Sequence, residues 1–149
     1  IANPVYLYIY ERLKKLEEEW ANKVHPELLK DLLEVLSTLK RYRENRERMG
    51  PAERIVYDVK EALGRKLNVK VVKLSNFKEA LTKVFGRYEK VKHISRIRDS
   101  DRRGLKVALL KDLFSIDSRI STREKEQIAE ELLDYVERAV IYELRRQSQ

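Results

Sequence analysis

Eight cationic side chains crowd into twenty residues in the second half of the chain: Arg87, Lys90, Lys92, Arg96, Arg98, Arg102, Arg103 and Lys106. Three acidic residues share the stretch, so residues 87–106 carry a formal +5 of the chain's +8. Guanidinium forks and flexible ammonium groups at this density suit phosphate oxygens, and each phosphate they neutralise releases condensed counterions. The expected ligand is the backbone of DNA or RNA, contacted for position and charge more than for base identity. Gly104 follows Arg102 and Arg103, and a compact glycine turn there would offer backbone N–H groups to an oxyanion. Reversing Arg96, Arg102 and Arg103 to Glu is expected to weaken binding and leave the fold intact.

Catalytic chemistry has thinner support. His93 lies in the same basic segment, and a histidine near Arg87 or Arg96 is the pair a small metal-independent ribonuclease would use as acid–base group and phosphate clamp. The spacing is common, and a solvent-facing histidine in a basic patch is the simpler reading. The chain's two histidines are far apart and it has no cysteine, so no metal site is expected. The missing thiols also exclude disulfides, iron–sulfur clusters and thiol nucleophiles. No glycine-rich phosphate loop, dinucleotide fingerprint or G-x-S-x-G elbow occurs, and no cofactor is expected.

Two further groups point to contact surfaces. Tyr6 and Tyr10 are one helical turn apart, and tyrosine combines an apolar body with a hydroxyl, so they are candidates for a partner interface. Lys40, Arg41, Arg43, Arg46 and Arg48 surround Tyr42 in a second basic patch, diluted by Glu44 and Glu47. Tyr88 continues the three-residue spacing of Val91 and Ile94 and reads as core.

The elements that must position these groups are mainly helical. Ile9, Leu13, Leu16, Trp20 and Val24 form one stripe of a helix over 5–24, capped by Asn3 and opened by Pro4. A strand through Val5–Tyr10 competes locally, because those residues are strand formers. His25-Pro26 ends this helix and starts a second, to about Arg48, making residues 1–50 an antiparallel helical hairpin. Pro51 opens a third helix that ends at Asn68. Val69–Leu74 reads as a short strand needing a partner near Val107 or in another subunit. Ser75 caps a helix over 76–85, which Gly86 ends in the left-handed region.

Spacing then predicts a helix over 87–98, with Lys92 and Arg96 stacked on its solvent side opposite Val91 and Ile94. With the helix before it, this would make a helix-turn-helix, although few polar side chains suited to base edges are present. Asp99–Gly104 reads as a polar loop, Leu105–Phe114 as helix, and Ser121 with Glu124 as the capping box of the last helix. The expected fold is mainly α: one domain over 1–149, a compact bundle of about six helices with at most one short strand or hairpin.

No apolar run approaches the ~20 residues that span a bilayer. Ile1–Tyr10 has neither a basic leader nor a small-residue cleavage site and is not read as a signal peptide. An intracellular protein without a membrane partner is expected. Its leading functional expectation is a non-catalytic nucleic-acid-binding accessory subunit working with other protein subunits in a larger complex. An adaptor whose basic surface meets an acidic protein is the alternative, and the ribonuclease the third.

Overall fold

The computed structural model describes residues 3–20 and 25–147, with the side chain of His25 outside that description. The expected end at Val24 and the joint at His25 therefore fall outside the described residues or side chains. Six helices and no strand occur among the described residues, so the fold is all-α: α1 (Pro4–Glu19), α2 (His25–Glu47), α3 (Pro51–Leu67), α4 (Ser75–Tyr88), α5 (Asp99–Ile116) and α6 (Thr122–Gln147). They divide into two compact units, Ala2–Met49 and Gly50–Gln149, and the division coincides with the end of the expected hairpin.

In the first unit, Asn3 accepts the Val5 N–H at 2.9 Å and Pro4 fills the first turn of α1, as the sequence requires. The strand alternative for Val5–Tyr10 fails, because the apolar stripe continues at helical spacing. Val5, Ile9 and Leu16 of α1 and Leu28, Val35 and Tyr42 of α2 are buried along a common seam. Asn3 closes one end by donating from Nδ2 to the Tyr42 hydroxyl at 2.7 Å.

The second unit is a ring of four helices, in which α3 packs against α4 and α6, and α5 packs against the same two. Its centre is filled by Val59, Leu63, Phe77, Leu81, Leu105, Leu109, Leu133, Val136 and Val140, all at 0% exposure. Leu133, Val136 and Val140 of α6 are as buried as its Ala129, whereas Tyr142 is 61% exposed. Buried Asp58 and Glu143 are paired: the Tyr135 hydroxyl donates to Asp58, and Arg54 donates to Glu143, both joining α3 to α6. Such pairing removes the cost of leaving a buried polar group unsatisfied.

Three local expectations are corrected. Val69–Leu74 forms no strand among the described residues: the chain bends at Lys70, the Val69 N–H donates to the Gly64 carbonyl at 3.1 Å, and Val72 and Leu74 are buried while Lys70, Val71 and Lys73 are exposed. Burial alternates as in a strand only from Val71 to Leu74, and the expected partner Val107 lies in α5, where it is exposed. Gly86 does not end a helix; α4 runs through it to Tyr88, and no glycine has a positive φ. Asn68, in contrast, terminates α3 in the left-handed region at φ 52°, ψ 47°, as expected. Ser75 is the first residue of α4 rather than its cap, and Leu74 at the cap position makes no side-chain cap bond.

The missing cap of α4 comes from another helix. Asp112 of α5, buried at 4% exposure, accepts the Phe77 N–H at 2.8 Å, the Asn76 N–H at 3.3 Å and the Asn76 Nδ2 at 2.9 Å. A carboxylate there satisfies orphan N–H donors and complements the positive end of the helix dipole. Asp112→Ala should therefore lower unfolding free energy by about 2 kcal/mol in urea denaturation, whereas an unchanged midpoint would show that water replaces the carboxylate without loss.

Candidate nucleic-acid interface

The basic segment does not form a helix between Arg87 and Arg98. After α4 ends at Tyr88, Glu89 and Lys90 turn, and residues 91–98 run as an irregular strap to the start of α5. The stretch V-K-H-I-S-R-I is rich in β-branched and other weak helix formers, so little local preference opposes this outcome. The three-residue spacing taken as helical is also the period of an extended left-handed chain, and Arg98 sits in that region at φ −65°, ψ 148°. There is accordingly no recognition helix over 87–98, and the helix-turn-helix expectation falls with it. Lys92 and Arg96 share no helical face.

The strap is held at named points. Ile94 and Ile97 insert into the core at 5% and 2% exposure. Arg145 of α6 donates from Nε to the Ile94 carbonyl at 2.8 Å. His93 takes φ 57°, a left-handed conformation that costs a residue with a Cβ some strain, within a bend before the first anchor. At its far end, the Tyr88 hydroxyl accepts the Arg98 N–H at 2.8 Å and donates to the Asp101 carboxylate at 2.7 Å. Burial, followed by the hydrogen bond to Asp101, holds the Tyr88 hydroxyl above the ordinary tyrosine range.

Asp99–Gly104, expected as a polar loop, is the first turn and a half of α5. Asp and Ser suit a helix start as well as a loop, and the burial of Asp101 against Tyr88 and Arg87 decides between them. Gly104 is consequently helical and forms no anion-binding turn, although a Cβ there would meet open space.

The eight expected contact residues separate into two groups. Arg87 is half-exposed but paired with Asp101. Arg102 is caged by three carboxylates of α6: Glu130 at 2.9 Å, Asp134 at 3.1 Å and Glu137 at 3.2 Å. Lys106 meets Glu130 at 2.8 Å. These three knit α4, α5 and α6 together. Lys90, Lys92, Arg96, Arg98 and Arg103 are exposed, and among the described residues no carboxylate lies within ion-pair distance of them. Lys92, Arg96 and Arg98 stand on the strap, where buried Ile94 and Ile97 alternate with outward cations, and Lys90 stands on the turn before it.

Packing adds two cations that sequence proximity did not suggest. Lys83 of α4 and Lys111 of α5 line a cleft of about 270 Å³ with Arg87, Asn76, Gly104 and Ala108. Lys83 is ion-paired with Glu79 at 3.3 Å. His93 is exposed and is not among the residues lining this cleft. Among the described residues no group of three or more His, Asp or Glu side chains is placed to hold a metal ion.

Tyr6 and Tyr10 are 40% and 57% exposed on α1. The Tyr6 ring meets the Tyr42 ring edge-on at 5.4 Å, and Lys14 lies 5.9 Å from the Tyr10 ring centre. In the second basic patch Tyr42 is buried, Arg46 lies over its ring at 5.5 Å, and Lys40 faces Glu44 at 4.0 Å.

No protein-family model, curated protein or solved structure matches this chain. Among the described residues no helix is long and apolar enough to cross a membrane.

The cage around Arg102 changes the expected effect of charge reversal. Arg102→Glu places a fourth carboxylate among three and should destabilise the domain by about 2 kcal/mol in chemical denaturation, while Arg103→Glu should change stability by less than about 0.5 kcal/mol. Equal stabilities for the two variants would show that the cage does not hold in solution.

A pH effect follows from the same network. The hydrogen bond from Lys106, reinforced by the charges of Lys106 and Arg102, holds the Glu130 carboxyl below the usual glutamate range against the opposing effect of burial. Because the folded-state value lies below the unfolded one, this contribution to stability is complete above the ordinary glutamate range and is lost as pH falls through Glu130's depressed value. Carboxyl-carbon NMR titration should find Glu130 ionising early, and Lys106→Gln should return it toward the ordinary range.

Proposed function

We propose that this protein binds the phosphate backbone of nucleic acid through the strap between α4 and α5, as a non-catalytic accessory subunit. The observation that carries the reading is the separation of cations by partner. Arg87, Arg102 and Lys106 are neutralised within the fold, whereas Lys90, Lys92, Arg96, Arg98 and Arg103 keep their charge for solvent. Unpaired cations on an anchored segment lose little conformational freedom on meeting phosphate oxygens, and the loss of condensed counterions drives association.

The chemistry favours backbone contact over base readout. Tyr88 is the only Phe, Tyr or Trp of segment 87–106, and it is buried, so the imidazole of His93 is the one exposed ring the strap offers to a base. Ser95 is the one neutral polar side chain exposed between Glu89 and Arg98 other than His93, which leaves little for base edges. The protein therefore grips by charge, and sequence selection falls to other members of an assembly.

The test uses labelled DNA and RNA, single- and double-stranded, over a series of salt concentrations. Five phosphate contacts on a duplex correspond to a slope of log K against log salt of roughly −4.5, and Lys92→Glu, Arg96→Glu, Arg103→Glu together should remove roughly 2.7 units of it. Arg102 is left intact in this variant so that the fold is preserved. Affinity unchanged by the triple reversal would sink the strap as the contact surface. A parent protein that binds none of the four nucleic acids would sink the reading itself and turn the strap toward an acidic protein.

A further inference from the structure

The hairpin has a second apolar surface besides its seam. On α2, Leu29, Leu33 and Leu36 follow spacings of four and three, about 100° around the helix from the buried Leu28 and Val35, and they remain 49%, 65% and 45% exposed. On α1, Tyr6, Tyr10, Leu13 and Trp20 fall on one row at helical spacing, with Glu17 between the last two. The two rows belong to the same side of the hairpin. Leu13, Trp20, Leu28 and Leu32 line one open apolar cleft of about 370 Å³ between the helices, and Leu32 stands beside Leu29, Leu33 and Leu36. The side holding Arg12, Lys15, Asp31 and Glu34 is polar.

We infer that this face is the docking surface for a second copy of the chain, with α2 packed antiparallel on its symmetry mate. The proposal stands apart from the nucleic-acid reading. At the exposures of Tyr6, Tyr10, Trp20, Leu29, Leu33 and Leu36, the face presents on the order of 700 Å² of apolar-residue surface. That exceeds the patches usual on a monomer and approaches the ~800 Å² per partner of a stable interface. Two helices alone bury too little surface to be secure, and pairing two hairpins into four helices is the simplest remedy.

The arrangement of the leucines selects a second copy over another occupant. Leu29, Leu32, Leu33 and Leu36 are symmetric about the point between residues 32 and 33. A two-fold axis there sets Leu29 against Leu36 of the partner and Leu32 against Leu33 of the partner, which is the self-complementarity an isologous interface requires. Charge permits it too. Residues 1–50 carry ten basic and nine acidic side chains, so the two hairpins are nearly neutral where they meet.

Position 33 lies beside the proposed axis, which makes it the test. Sedimentation equilibrium of the full chain at roughly 50 µM, enough to populate a dimer of micromolar Kd, should give twice the 17.8 kDa of one chain. Leu33→Glu and Leu33→Lys should each be monomeric with unchanged far-ultraviolet circular dichroism, because Leu33 is exposed in the single chain. Mixed in equal amounts, the two variants should regain the dimer mass, since opposite charges then meet across the axis. A monomeric parent would overturn the proposal and leave the face to the chain's own bundle or to another protein. Variants that stay dimeric, or a mixture that stays monomeric, would overturn it as well.

Discussion

The arrangement of the basic segment depends on one buried carboxylate. Asp101 takes a hydrogen bond from the Tyr88 hydroxyl and an ion pair from Arg87, both on the last turn of α4, while standing in the first turn of α5. The same tyrosine oxygen accepts the Arg98 N–H. The end of one helix, the start of the next and the last residue of the strap are thus tied to one pair of side chains. Burial strengthens these bonds and makes breaking any one of them costly, because a stranded charge or hydroxyl would remain in the interior. Residues 89–98 then bridge fixed ends, and a helix there would have to abandon both the Arg98 contact and the burial of Ile94 and Ile97.

This geometry sorts the charges. Cations on helices that face α6 meet its glutamates and aspartates and become part of the fold. Those on the strap point outward because the inward positions are occupied by isoleucine. A formal charge of +5 over twenty residues is therefore an unreliable measure of binding surface. Arg102 and Arg103 are neighbours in the chain, yet the first is caged by three carboxylates and the second is exposed. A helix separates successive side chains by about 100°, and that turn decides which of them meets α6.

The two units offer different kinds of surface. The four-helix unit closes most of its apolar surface on itself and pairs buried Asp58, Asp101, Asp112 and Glu143 within itself. The hairpin has one seam to bury and more apolar residues than one seam accommodates, so leucines and tyrosines remain at its surface. Leu29, Leu33 and Leu36 have the same spacing logic as Leu28, Leu32 and Val35, and periodicity alone could not say which stripe meets α1. Buried Tyr42, joined to Asn3 by a hydrogen bond, marks the chosen one.

Much of the helical plan was legible in the chain itself. Asn3-Pro4, Pro51, Asn68 and Ser121 mark helix ends through local chemistry, and each acts there as its side chain or ring dictates. The all-α class follows from apolar spacing repeated over many turns. The segment carrying the candidate site is less legible in its sequence, for a physical reason. A three-residue spacing suits a helix and an extended strap alike, and Asp-Ser-Asp suits a loop and a helix start alike, so local pattern leaves both open. Sequence by itself determined the helical class, most helix ends and the concentration of positive charge. Tertiary structure alone decided that Asp112 caps α4, that Asp101 starts α5, and which cations stay free, because each depends on a partner distant in the chain whose burial makes the contact worth more than any local preference.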